Sequence, residues 1–491
     1  MVVDFITNTY ILFSCSTETS LIKLDARGAA VTWPWALNTL ISHVTSLDLL
    51  ELPELEDVND RSALEHDQAY AERLKMVEEI TTLLKSLIQK YLREFESSNS
   101  DYALKIKGSI IWSCIMLLAR PLSDMNVSVS VNGDSTMAKV NSDELMQILN
   151  RLSFNHLTLV DAANFCQDFK QTLVETEEKR QLWAIGITSV FFNHIAFGMD
   201  DPHIPACYDP LFVMHKLLDP ICTSLNYLPG TTHEYLKLEK ALILCQALVK
   251  RIPSNTIPND VMDMPQHSLL LLRLYQIIVY HNMSCVRRMA FGVYNVYFDT
   301  FASVNQEEKQ TGCVLKFLVL HALERANHSG IISHAIGKLK NALLKGPVLP
   351  AITGGELHKL VKKFCYLKNS AETDLLEISD EIMASLNFLI ALLLRDKQNT
   401  IFGLWDLVPD LTNSYLEPLS QGLNLSRGHF KLKLQEPKSA EVTLMVGGQV
   451  LPEMSWEQKN QVIHSALNTF DMIECVLCQL KDLIANNSQG K

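Results

Sequence analysis

The chain has 491 residues, 47% of them apolar and 20% charged, with only 19 glycines and 17 prolines. That composition favours packed helices over sandwiches, barrels or long disordered tracts. The net charge of −12 makes the chain a poor general ligand for nucleic acid or anionic membrane, and its eleven cysteines, scattered among apolar neighbours as at Cys114, Cys245 and Cys313, read as reduced thiols of a cytoplasmic protein.

Met1 to Ser16 is apolar but lacks a basic n-region and contains Asp4, so it does not read as a secretory signal. Glu51 to Asp67 is acidic, carries Pro53 and reads as a surface loop closing a divergent N-terminal segment over residues 1–60. From Leu74 to Phe95 apolar residues fall at 74, 77, 80, 84, 87, 88, 91, 92 and 95, with charges on the other face, the stripe of an amphipathic helix. Related patterns recur at about 143–154, 158–174, 181–198, 209–225, 233–251, 266–281, 285–304, 306–326, 330–345, 355–367, 373–395, 411–424 and 455–485. Helix signals separate them: Asp209-Pro210 places a cap before a first-turn proline, Asn305 precedes the acidic pair Glu307 and Glu308, and Gly346-Pro347 ends another segment. No apolar run reaches the roughly 18 residues of a membrane span; Arg273 interrupts one, and Arg395 with Asp396 ends another.

Two stretches depart from helix. Asn126 to Val131, followed by Asn132-Gly133, reads as a short strand or extended loop, and His429–Leu434 and Glu441–Val446 alternate on either side of Glu436-Pro437. The expected fold is all-α, a HEAT/armadillo-like helical-repeat solenoid with a small β-hairpin insertion near 429–450. Its parts are the segment 1–60, a central array over 61–325, a C-terminal array over 326–485 and a frayed tail at 486–491.

Enzyme signatures are missing: there is no P-loop, GxGxxG, kinase set or GxSxG, and His233-Glu234 lacks the second histidine of HExxH. Cys475 and Cys478 form a lone CxxC at helical spacing among Ile473, Val476, Leu477 and Leu480, and read as buried helix packing. His321, Glu324 and His328 share a helical face but lack a further ligand, so the histidines read as surface or capping groups and no metal or cofactor is expected. The lysines Lys338, Lys340, Lys345, Lys359, Lys362 and Lys363 read either as a solvated face or as a docking edge for an acidic or mixed partner.

Ala371-Glu372-Thr373-Asp374-Leu375-Leu376 opens a segment running to Leu389, read as one amphipathic helix with an acidic start. It belongs to an ordered series: Asn327-His328-Ser329-Gly330, then Ser379-Asp380, Ile382 to Asn387, Gly403-Leu404-Trp405, Pro418-Leu419, Gly422-Leu423-Asn424 with Ser426, and His464 to Leu467 with Thr469-Phe470-Asp471. In order and spacing this series resembles the C-terminal region of the glomulin family; over 150–325 the likeness rests mostly on helix order, and before about Leu40 the family's additional N-terminal helices find no match. The resemblance implies a stack of HEAT-like helix pairs that binds rather than catalyses. It implies as partner the RING subunit of cullin–RING ubiquitin ligases, within the assembled cullin complex, with the docking of the ubiquitin-conjugating enzyme blocked. It also implies an immunophilin as a further partner. Carried over by position, the RING-binding residues would be Lys340 and Arg427 first, then Asn327, His328, Glu372, Asp374, Asn387 and Trp405. The periodicity by itself fits equally a general helical scaffold or adaptor in trafficking or transport.

Overall fold

The computed structural model describes residues 20–46, 68–98, 100–127, 136–170, 176–196, 207–227, 235–253, 263–301, 312–345, 352–435, 445–446, 449–450 and 456–489, with isolated positions 18, 204, 205, 261 and 349. They fold almost entirely into helices: α1 (Ala26–Ser46), α2 (Gln68–Lys90), α3 (Asp101–Ala119), α4 (Met137–Leu152), α5 (Ala162–Asp168), α6 (Glu177–Phe191), α7 (Pro210–Ser224), α8 (Tyr235–Arg251) and α9 (Pro265–Tyr280). There follow α10 (Ser284–Phe301), α11 (Gly312–Arg325), α12 (Ser329–Lys345), α13 (Gly354–Phe364), α14 (Ser379–Arg395), α15 (Val408–Leu411), α16 (Glu417–Gln435) and α17 (Trp456–Gln489). Side-chain caps begin many of them, because the first N–H groups of a helix have no partner within it. Ser100 Oγ accepts from the Ala103 N–H at 3.2 Å, Thr136 Oγ1 from Lys139 at 3.2 Å, and Asp209 Oδ1 from Leu211 at 2.8 Å, ahead of Pro210 at the first helical position.

The chain divides into two compact units, one of residues 1–253 and 265–300, the other of 254–264 and 301–491. In the first unit α3 lies centrally, packed against α1, α4 and α6, while α7 meets α6, α8 and α9. Residues 101–124 match a membrane span in length and apolar character, a match the sequence expectation did not admit. Fourteen of the nineteen α3 side chains are nevertheless buried inside the unit, because α3 is surrounded by other helices. Trp112 stacks on Trp183 of α6 at 5.5 Å. A Cβ at Gly186 would lie 2.4 Å from the Ile115 carbonyl oxygen, so α6 meets α3 there by backbone contact that only glycine permits. Lys240 of α8, almost wholly buried, donates to the carbonyls of Leu122, Ser123 and Met125 at 2.6, 2.8 and 2.8 Å. A buried ammonium thus finds three acceptors, which offsets its desolvation.

In the second unit α12 packs on α11 and α14, α13 on α11, α14 on α17, and α16 on α17. Helices two apart in sequence pair as well as neighbours do: α1 with α3, α7 with α9, α11 with α13, α12 with α14. That is the local pattern of layered helix pairs.

Several expectations need correction. His429–Leu434 is not a strand but the end of α16, and among the described residues there the ladder is two residues long and antiparallel, Met445–Val446 on Gln449–Val450. Alternation over six residues cannot be told from helix when one helical face is polar. The segment 371–389 is not one helix: 370–372 is a 3-10 turn and α14 begins at Ser379. Asp374 Oδ1 accepts the N–H groups of Leu376 and Glu377 and holds a turn in between. In place of one helix over 158–174, the described residues give a 3-10 turn at His156–Leu159 and the short α5, and 171–174 lie outside the described residues. Cys475 and Cys478 are exposed rather than buried, since Ile473, Leu477 and Leu480 take the inward stripe of α17. His321 is buried, not a surface group. The acidic loop 51–67, His233-Glu234 and most of the extended stretch 126–131 lie outside the described residues.

Candidate partner-binding surface

The candidate residues all lie in the second unit, around the paired helices α12 and α14. Asn327 takes a left-handed backbone (φ +45°) and turns the chain from α11 into α12. The His328 carbonyl accepts from the Ile331 and Ile332 N–H groups, both at 3.1 Å. Ser329 Oγ then reaches across to accept the N–H of Glu381, in the first turn of α14, at 3.0 Å. At the other end, Arg395 of α14 donates to the carbonyls of Leu343 (2.6 Å) and Leu344 in the last turn of α12. Start meets start and end meets end, so the two helices run parallel with their termini in register, and each end supplies groups that a bare helix terminus leaves unsatisfied.

On α12 the stripe Ile332, Ala335, Ile336, Leu339 and Leu343 is buried, and Lys340 sits half-exposed at its margin. The basic cluster around it is mostly neutralised. Lys359 pairs with Glu356 at 2.7 Å, Lys362 with Asp410 at 2.7 Å, and Lys363 with Glu324. Glu356 also holds Lys316, and hydrogen bonds from Lys316 and Lys359 lower its carboxyl to about 2. Lys340 and Lys345 have no ion-pair partner among the described residues. The docking-edge reading therefore contracts from six lysines to the outer margin of α12.

Asn387 is exposed on α14, its Nδ2 donating to the Met383 carbonyl at 2.8 Å. Glu372 is exposed on the 3-10 turn that packs on α16, where a Cβ at Gly422 would lie 2.9 Å from the Ala371 carbonyl oxygen. Trp405 is half-buried: its indole N–H donates to the Asp396 carbonyl at 2.8 Å and its backbone N–H to Asn399 Oδ1 at 3.0 Å. The Asp396 carboxylate accepts from Thr400, Ile401 and Phe402 at 2.8, 2.9 and 2.6 Å. Burial acts to raise its pKa, yet these N–H groups and that of Gly403 hold it below the ordinary value. Trp405 is thus part of a built corner after α14.

Arg427 is committed within the unit. Its guanidinium, largely buried, donates to Asp471 Oδ1 at 2.8 Å and Glu474 Oε2 at 2.6 Å, clamping α16 to α17. The Glu474 hydrogen bond leads in raising its pKa. Among the described residues no hydrogen bond or ion pair joins any of the eight candidates to another. The sequence placed Ser329 in the Asn327–Gly330 block and Arg395 at the end of an apolar run, but not their contacts, which tie α12 to α14 and depend on partners 52 residues away. No three His, Cys, Asp or Glu side chains among the described residues are grouped to hold a metal.

Fold and surface together define an all-α protein of layered helix pairs, whose candidate residues sit on exposed helix margins and at interhelical joints. The chain is glomulin-like. It is 27% identical over 398 residues to glomulin of Homo sapiens, covering 77% of this chain and 64% of that protein. To glomulin of Mus musculus it is 26% identical over 329 residues, covering 64% of this chain and 53% of that protein. The chain therefore spans between half and two thirds of the length of these curated relatives. No family model matches it.

Proposed function

We propose that the chain is a non-catalytic inhibitor of cullin–RING ubiquitin ligases. It binds the RING subunit of the assembled cullin complex through its C-terminal helices and blocks docking of the ubiquitin-conjugating enzyme. The carrying observation is the similarity to glomulin, beside a C-terminal series of blocks in the sequence whose first member, Asn327–Gly330, supplies Ser329 to one joint of the α12–α14 pair. Steric blocking needs a rigid, complementary surface and no reactive group, and a helix pair tied at both ends supplies rigidity. Lys340 is the contact of first choice, since it has no ion-pair partner among the described residues. Asn387, Glu372, Asp374, Asn327 and His328 are exposed and accessible to the same partner, and Trp405 presents part of its ring. Arg427 acts by holding α16 against α17, with its Nη2 group already engaged by Asp471 and Glu474. The reading includes a cytoplasmic location and leaves an immunophilin as a second partner by family resemblance.

The test is reconstituted ubiquitin-chain assembly by a cullin–RING ligase with increasing amounts of the chain. Inhibition that titrates with the RING subunit is expected; unchanged assembly at saturating protein refutes the reading. Lys340→Glu should weaken RING binding by about 2 kcal/mol or more if the contact is desolvated, read by calorimetry, with the helical circular dichroism unchanged. Equal affinity removes Lys340 from the surface.

A further inference from the structure

Cys475 and Cys478 lie one turn apart on α17, and both are exposed. Cys475 Sγ takes a long contact from the Gln479 amide at 3.8 Å. Between and beside them Ile473, Leu477 and Leu480 are buried in the unit, and Glu474, the residue before Cys475, holds Arg427 of α16. The two thiols are therefore accessible from outside while the same turn carries the contact between α16 and α17. Most other described cysteines are shielded: Cys114, Cys222, Cys245 and Cys365 are buried.

We propose that Cys475 and Cys478 form a reversible intrahelical disulfide that loosens the attachment of α17 to α16. Residues three apart on an α-helix have Cβ atoms about 5–6 Å apart, whereas a disulfide brings them to about 3.5–4.5 Å. Closure tightens this turn towards 3-10 geometry, in which positions i and i+3 eclipse. Tightening rotates Glu474 and Leu477 out of their present register, and the Arg427 clamp and the buried stripe oppose it. A disulfide formed against such opposition is readily reduced, which marks regulatory rather than structural bonds. The oxidant is a low-molecular-weight disulfide such as oxidised glutathione. The thiolate of one cysteine attacks it, forming a mixed disulfide and releasing one glutathione thiolate. The second cysteine's thiolate attacks the mixed disulfide and releases another. The two protein protons end on the two glutathione thiols, and the two electrons lost by the cysteines reduce the glutathione disulfide. The inference does not depend on the ligase reading.

The test uses the full chain equilibrated with mixtures of reduced and oxidised glutathione, then quenched, alkylated and cut by trypsin. Both cysteines fall in one peptide, 460–481, with no internal lysine or arginine. The expected product is that peptide two hydrogens lighter and unalkylated, restored by added reduced glutathione. Cys475→Ser and Cys478→Ser should each stop at the single mixed disulfide. Amide exchange over residues 417–435 should rise at least several-fold on oxidation in the parent and stay unchanged in both variants. Persistent double glutathionylation, an interchain cross-link, or free thiols in excess oxidised glutathione would overturn the disulfide. Unchanged exchange in the closed form would overturn its coupling to α16.

Discussion

At the scale of single residues, the most constrained position is Gly186. Any Cβ there meets the Ile115 backbone oxygen at 2.4 Å and its side chain at 2.6 Å. Neither helix can yield locally, so Gly186→Ala should destabilise the first unit by about 3 kcal/mol, the upper range for overpacking, measured by denaturant unfolding. His267 is a second such position. Its ring is fully buried, with Nδ1 bonded to the Tyr297 hydroxyl at 2.5 Å and Nε2 to His215 Nε2 at 3.1 Å. Burial, with the His215 charge in second place, lowers its pKa to about 3. The fold keeps this ring neutral, while the unfolded chain protonates it below its ordinary value. Its contribution is complete above that value and declines as the pH falls toward about 3. At pH 5 the loss is about 2 kcal/mol, and His267→Gln should flatten that part of the pH profile. Glu381 behaves oppositely: burial pushes its carboxyl up to about 7. Folding therefore favours the protonated acid, and the second unit loses stability as the pH rises from the ordinary glutamate range through about 7. Glu381→Gln, which keeps the shape of the neutral acid, should stabilise that unit at pH 8 by on the order of 2 kcal/mol, read by thermal melting. A destabilised variant at pH 8 would contradict it.

At the scale of elements, much was legible. The stripe at 74–95 became α2 and the π-turn Tyr91–Phe95 that continues it, and the Asp209-Pro210 signal capped α7 as expected. Side-chain period and cap chemistry are local, so sequence reports them directly. What escaped depends on partners far along the chain. Nothing local at Arg395 announces that its guanidinium ends α12, because the carbonyls it satisfies belong to Leu343 and Leu344. The inward stripe of α17 likewise places Cys475 and Cys478 outside, a choice fixed by which face meets α14 and α16. The candidate surface was legible as a set of positions. Which of its charges are spent internally was not, and Arg427 is the clear case. Removing that clamp by Arg427→Ala leaves Asp471 and Glu474 without their shared cation. Accelerated amide exchange in α16 and α17 is expected, with α12 and α14 unaffected.

At the scale of the whole molecule, the two compact units carry different titrating groups. Acid acts on the first through His267, and alkali on the second through Glu381. The second also holds His321, lowered to about 4 chiefly by burial, so it has an acid limb as well. Greatest overall stability is expected near the upper end of the mildly acidic range, and exchange measured separately over each unit should show the first gaining stability as the pH rises through the ordinary histidine range, while in the second the His321 and Glu381 effects oppose each other.

The Lys240 contacts carry a consequence for biogenesis. The corner that follows α3 is completed by a cation encoded 115 to 118 residues downstream. While a ribosome is still translating α4 to α7, those three oxygens have only water or a chaperone to bind. The helix that alone among the described residues matches a membrane span is then held next to an unfinished corner. Nascent chains stalled before α8 should accordingly recruit holding chaperones, and release should coincide with emergence of Lys240 from the exit tunnel.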